Sequence, residues 1–386
     1  MTLVLFNMHD VMLLITIYLC VLFAIFLLAL TKGSKKSNLL LACFLLCHAA
    51  IPTDNLILFG EAFRAKAIEF SPDIFYVFGT AYWLESVFLL FYVKSLIYKS
   101  FTVRKLDYLY FSPFIFYLIF QWVMWFSLKS EIKLEILNGY HLEEQPVYIF
   151  LVHLFRESFR VFCTVLCLRE LLHYQKQIKN EFSDIEKIDL TWLKILVIGF
   201  LVINLQSVIV PIGVITFVEF QTFIDYTLLG LTANYTALVL ISVMIFFSLS
   251  GSTVFKGIDQ NNSMAEDNKN PISPALINTI VEYMKENKPY LNHLLTLDNL
   301  SNQLLLQPRL LSQIINRHFK QNFFEFINSY RVKECKLILE KPGNEKITML
   351  QVMDESGFNS KATFNTFFKK LVGVTPTQYR KENVKS

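Results

Sequence analysis

The chain has 386 residues, 54% of them apolar and 18% charged, with 37 phenylalanines, a mean hydropathy of +0.42 and a formal net charge of +4. Soluble domains are about 45–50% apolar and about 25% charged, so the composition excludes an ordinary soluble protein. The bias is uneven: residues 256–386 hold 18 Lys and Arg against 13 Asp and Glu and read as a soluble domain, whereas 1–255 hold 18 against 19 and carry the long apolar blocks.

A membrane helix needs about 20 predominantly apolar residues. Seven blocks qualify: 9–31, 38–60, 73–98, 107–128, 147–172, 189–214 and 225–250. The first does not read as a signal peptide, because no Lys or Arg precedes it, its apolar run is too long and no small-residue cleavage site follows. Orientation follows from Lys and Arg in the short loops. The odd loops carry ten, namely Lys32, Lys35, Lys36, Lys99, Arg104, Lys105, Arg169, Lys176, Lys179 and Lys187. The even loops carry four, namely Arg64, Lys66, Lys129 and Lys133. The expectation is an N-terminus outside the membrane and a C-terminus in the cytoplasm. Trp122, Trp125, Tyr140, Tyr148 and Trp192 fall near span ends and read as interfacial anchors. The fourth loop, Lys129 to Gln145, is the longest outer loop; it reads as a solvated connector or as a lid.

Polar groups within spans are costly in hydrocarbon and face a partner or a cavity. The second block has His48 and Asp54, the third Glu85, the sixth Asn204 and Gln206, and the seventh Asn234. The fifth block is the richest, with His153, Arg156, Glu157 and Arg160 at spacings that share one helical face. Two readings stand side by side. One is an interhelical ion-pair network in which Glu85 meets Arg156 or Arg160. The other is a pocket formed by Glu85, His153, Arg156, Glu157 and Arg160, whose arginines suit the carboxylate or phosphate of an unknown small ligand. Cys43 and Cys47, like Cys163 and Cys167, lie one helical turn apart with only His48 nearby. They read as small side chains at helix contacts, so no metal or cofactor is expected.

Residues 1–250 thus form one expected domain. From Gly251 to Pro274 the glycines, asparagines and prolines break any regular pattern, which reads as a flexible linker. The rest, 275–386, reads as helical throughout, giving an all-α chain. Ala275 to Met284 has amphipathic spacing. Thr296 caps a short helix with Leu297, Leu300 and Leu304 inward, and Pro308 opens the next, which buries Leu311, Ile314 and Ile315. A long helix from about Phe323 to Glu340 leads to a second pair of helices. There Gly357 sits where the turn needs positive φ, Ser360 caps, and Phe364, Phe367, Phe368 and Leu371 form the inward stripe.

These are two helix–turn–helix units in series, and their chemistry is reading rather than reaction. A helix enters the major groove and presents side chains to base edges while basic and hydroxyl groups hold phosphates. The outward residues of the first unit are Arg309, Ser312, Gln313, Asn316 and Arg317; those of the second are Ser360, Lys361, Thr363, Asn365, Thr366, Lys369 and Lys370.

Residues from about 275 to 382 resemble the DNA-binding domain of AraC/XylS-type transcription regulators. The resemblance is carried by Leu297 to Leu300, Pro308 to Ser312, Phe323 to Arg331, Glu355 to Lys361, Phe364, Phe367 to Lys370, Gly373, Thr375, Pro376, Tyr379 and Arg380. Leu305, Met353 and Asp354 depart from the family pattern. The membrane part resembles regulators in which seven helices replace the usual soluble sensor. The resemblance implies a bacterial inner-membrane regulator that binds promoter DNA through its cytoplasmic domain, acts on RNA polymerase and pairs as a homodimer on two half-sites. Two rivals are a membrane transporter or enzyme with a regulatory helix–turn–helix domain, and a membrane scaffold whose domain no longer binds DNA. Against an enzyme, no HExxH, GxSxG or phosphate-cradling glycine loop is present.

Overall fold

The computed structural model describes residues 7–29, 34–139, 146–186, 188–220, 226–250, 273–341, 343 and 347–383. The expected linker, apart from Ser273 and Pro274, and Tyr140 lie outside the described residues. Within them the chain is all helical, with no strand and a single bridge between Phe182 and Thr296. It divides into two compact units: residues 1–171 with 191–260, and 172–190 with 261–386.

The first unit contains α1 (Met8–Ala29), α2 (Lys35–Phe59), α3 (Glu61–Phe70), α4 (Tyr82–Ile97), α5 (Ser112–Gln121), α6 (Ser130–Asn138), α8 (Thr191–Phe220) and α9 (Tyr226–Ser250). It also holds α7 (Val147–Glu181) as far as Leu171. Short turns at Pro72–Ile74, Phe78–Ala81 and Lys105–Phe111 lead into α4 and α5, and a π turn, Trp122–Phe126, follows α5. Helix α2 packs against both α1 and α4, α8 pairs with α9, and α9 touches α1.

Among the described residues, six helical stretches are long and apolar enough to cross a membrane: Met8–Ala29, Lys35–Phe59, Pro72–Ile97, Lys105–Phe126, Thr191–Phe220 and Leu228–Phe247. The seventh expected span falls in α7. That helix is long enough at 35 residues, but its charged and polar side chains dilute its hydropathy. The described part of the expected fourth loop, residues 129–139, is packed rather than a solvated connector. Leu137 of α6 is buried with Phe75, Ala67, Ile57 and Trp125, and Lys133 reaches Asp73 at 2.6 Å. Trp125, expected as an interfacial anchor, is instead covered by Tyr76 and only 4% exposed.

The second unit contains α10 (Pro274–Glu286), α11 (Leu297–Gln303), α12 (Pro308–Arg317), α13 (Phe323–Glu340), α14 (Met349–Glu355), α15 (Lys361–Val372) and α16 (Pro376–Asn383). Helices α10 and α12 open on Pro274 and Pro308 without a side-chain cap, whereas the starts of α11, α13, α14 and α15 are set by side-chain caps that satisfy otherwise orphaned N–H groups. Thr296 accepts from Asn299 N and Ser360 from Thr363 N, while Asn322 with Glu325 and Thr348 with Gln351 form reciprocal boxes. Two cores result. Ile280, Met284, Leu300, Leu311, Ile314 and Ile315 meet Phe323, Phe326 and Ile327; Val352, Phe358, Phe364, Phe367 and Phe368 meet Phe324, Val332, Cys335 and Leu339. Helix α13 therefore supplies one wall of both. Leu371 does not join the inward stripe and is 47% exposed. Helix α15 ends at left-handed Gly373, and Val372 and Val374 cover the core there instead.

Where the cores meet, Arg331 is 1% exposed and joins no ion pair with a carboxylate among the described residues. Its guanidinium donates to the carbonyls of Tyr290 (2.8 Å), Asn292 (3.0 Å) and Ser183 (3.0 Å), to Asn328 Oδ1 (3.2 Å) and to Ser183 Oγ (3.1 Å). Burial pushes its pKa down to about 10, opposed by the charge of Asp184, so it remains protonated at neutral pH.

Two backbone positions should reveal how tightly this junction is built. Gly357 has φ +82°, and a Cβ there would lie 2.5 Å from the Tyr290 carbonyl oxygen. Gly357→Ala should therefore cost the second unit about 3 kcal/mol. Leu305 adopts φ +57° and is 92% exposed, so Leu305→Gly removes strain without opening a cavity. It should stabilise by about 0.5–1 kcal/mol. Hydrogen-exchange protection of α11 to α15 in the full chain measures both.

Candidate nucleic-acid interface

The two reading helices expose most of the expected side chains. On α12, Arg309 and Asn316 are exposed, and Ser312, Gln313 and Arg317 are half-buried. On α15, Lys361, Asn365, Thr366, Lys369 and Lys370 are exposed and Thr363 is half-buried. Ser360 departs from this pattern. It is 4% exposed, and its hydroxyl is committed to capping α15, so it serves the fold rather than a ligand. Several exposed groups already have local partners. Asn316 donates to Ser312 Oγ at 3.3 Å, Asn365 to the Lys361 carbonyl at 2.9 Å and Lys370 to Glu325 at 3.0 Å. These surface contacts are individually weak, and contact with a phosphate or base edge would exchange rather than break them.

In the first unit the structure gathers four of the five expected pocket residues. Arg160 bridges Glu85 (2.6 Å) and Glu157 (2.6 Å), Arg156 meets Glu157 (2.7 Å), and His48 Nδ1 lies 2.5 Å from Glu85 Oε1. The Arg156 guanidinium also stacks 3.9 Å from the Tyr82 ring centroid. His153 is half-buried and joins none of these pairs. Two arginines facing two glutamates cancel in formal charge. An anion could bind only by displacing a glutamate, which an interhelical ion-pair network does not require. His48 stands out in the sequence only as a polar group within its span, with nothing local to pair it with Glu85, and Tyr82 is not singled out there; its spacing of three residues before Glu85 on α4 is the signal that could have found it.

Residues 300–382 match a family described as a helix-turn-helix domain. Over 124 residues, 32% of this chain, the sequence is 27% identical to YtdP, an uncharacterized HTH-type transcriptional regulator of Bacillus subtilis (strain 168). That match spans 15% of the relative's length. No solved structure matches the chain. The C-terminal unit carries a helix-turn-helix domain.

The three departures from the AraC/XylS pattern are absorbed locally. Met353 is buried in the second core, where its flexible thioether fills space beside Phe358 and Phe364. Asp354 points outward and is exposed. Leu305 lies in the turn between α11 and α12 and leaves the first core intact. Sequence reasoning also passed over Arg331, which looks like one more surface arginine on an amphipathic helix until its environment is known.

The buried ion pairs make a sharp prediction. Arg160→Ala or Glu85→Ala alone strands a charge in a low-dielectric interior and should cost about 3–5 kcal/mol. The double variant Glu85→Gln with Arg160→Met should recover most of that loss. Thermal unfolding midpoints of the purified full chain, compared across the three variants, check this.

Proposed function

We propose that the chain is a membrane-tethered, one-component transcription regulator of a bacterial inner membrane. Its C-terminal domain binds double-stranded promoter DNA sequence-specifically through α12 and α15. Its membrane part, with α7 as a seventh span, senses a signal that controls this binding. The carrying observation is one chain that joins six apolar helices of crossing length to a helix–turn–helix domain with Arg309 and Asn316 exposed on α12 and Lys361, Asn365, Lys369 and Lys370 exposed on α15. The loop charges support an outer N-terminus and a cytoplasmic C-terminus, which places the reader in the compartment that holds DNA.

Arg309, Lys361, Lys369 and Lys370 supply phosphate contacts, and Gln313, Asn316, Asn365 and Thr366 read base edges. Tethering in the bilayer raises the effective concentration of two copies on paired half-sites, which suits a homodimer that acts on RNA polymerase. The cluster of Glu85, Arg156, Glu157 and Arg160 is the place where a small ligand or a change in helix packing would redistribute buried charge.

In lipid nanodiscs the full chain should bind a duplex selected from a random-sequence pool, with affinity falling as salt rises. Lys361→Ala and Lys369→Ala should each weaken binding to all sequences and reduce the slope of log K against log salt by about 0.9. A salt-independent affinity, or a pool that yields no duplex, defeats the DNA-reading part. A reporter fused after Ser386 should report the cytoplasm; an external signal there defeats the topology.

A further inference from the structure

The segment after α7, Phe182–Leu190, belongs to the same compact unit as the helix–turn–helix domain. Its backbone is docked there. Ser183 N donates to the Leu295 carbonyl (3.2 Å), Ser183 Oγ donates to the same oxygen (2.7 Å), and Phe182 pairs antiparallel with Thr296. The Ser183 carbonyl accepts from Arg331 (3.0 Å) and Asn328 (3.4 Å), and Ile185 packs against the second core. One residue on from Ser183, the Asp184 carboxylate accepts from Asn359 Nδ2 at 3.0 Å. Asn359 immediately precedes Ser360, the cap of reading helix α15.

We propose that Phe182–Leu190 is an intramolecular restraint on DNA reading, in which Asp184 holds a carboxylate at the entry of α15 and lowers the affinity of the second helix–turn–helix unit for DNA. The inference rests on the DNA-binding reading given above.

The entry of a helix in the major groove is where N–H groups and polar side chains meet phosphates. A carboxylate held on Asn359 occupies one such donor and repels the phosphate that would use it. The segment is acidic, with Asp184, Glu186 and Asp189 against Lys187. Ser183 anchors it through buried backbone bonds, whereas the Asp184–Asn359 contact is exposed and exchangeable. The segment continues directly from α7, the helix that carries Arg156, Glu157 and Arg160. A signal that alters α7 therefore reaches the restraint through the chain itself, with no separate messenger.

The test compares full-length variants in nanodiscs against the duplex that the wild-type chain selects. Asp184→Asn keeps an acceptor for Asn359 but removes the charge, and should bind about fivefold more tightly at 0.1 M salt. Ser183→Pro removes the N–H bound to Leu295 and should bind more tightly still, with hydrogen exchange rising in Phe182–Leu190 but not in α13. Glu186→Gln, on the same segment but outside the Asn359 contact, should shift affinity less than Asp184→Asn. A merely structural segment would lower affinity in Ser183→Pro and leave Asp184→Asn unchanged, and that pattern overturns the restraint. Should Ser183→Pro lose protection across α13, Asp184→Asn alone decides. If neither the wild-type chain nor Asp184→Asn selects any duplex, the DNA-binding reading falls and the restraint with it. Wild-type binding that Asp184→Asn does not improve overturns the restraint only.

Discussion

A buried guanidinium with no carboxylate partner among the described residues sits at the centre of the second unit, and much of that unit is arranged to satisfy it. Desolvating Arg331 is expensive, and the cost is offset by five hydrogen bonds to oxygens from three stretches of chain: Tyr290 and Asn292, Asn328, and Ser183. Because the acceptors are mostly backbone carbonyls, their positions are fixed by the fold and not by a flexible side chain. Lys288 and Tyr290 add bonds to Glu334, one turn along the same helix, which holds the 288–292 stretch against α13 from the other side. Gly357 closes the arrangement, since only a residue without a Cβ fits against the Tyr290–Leu291 backbone.

This junction explains why two small helix–turn–helix cores behave as one body. A core of a dozen side chains around helices of seven and ten residues is marginal alone. Helix α13 removes the problem by turning Phe323, Phe326 and Ile327 to one core and Phe324, Val332, Cys335 and Leu339 to the other. The two reading helices then hold a fixed spacing because they are packed on opposite ends of a single element. Rigid presentation of both is what the proposed reading of adjacent grooves would demand.

Much of this was legible in the sequence. The caps at Thr296 and Ser360, the positive φ at Gly357 and the bounds of α13 follow from local rules that act within a few residues. The inward stripe of α15 failed only at Leu371, beyond the last turn that the core covers. What could not be read was long-range partnership. Arg331 and Ser183 lie 148 positions apart, and nothing in either neighbourhood announces the other. The same holds for His48 and Glu85, whose pairing depends on which helices are neighbours. For the apolar blocks, hydropathy located six helices long enough to cross a membrane, yet α7 shows how the same charges that make a helix interesting also weaken its apolar signal.

Charge is handled in opposite ways at the two ends of α7. In its first half, Arg156 and Arg160 are neutralised by Glu157 and Glu85 at contact distance, which keeps formal charge near zero where solvation is absent. Past its last turn, Ser183 offers only dipoles to Arg331, leaving that guanidinium a net positive centre inside the domain. The charge of Asp184, the adjacent residue, opposes the effect of burial on Arg331, and its carboxylate also accepts from Asn359. Moving the segment would therefore do two things together: strip acceptors from a buried cation and withdraw a carboxylate from the entry of α15. The first effect resists the movement and the second favours DNA once movement has occurred. On the proposed restraint, such a contact would have a docked and an undocked state, which is the physical requirement for a switch.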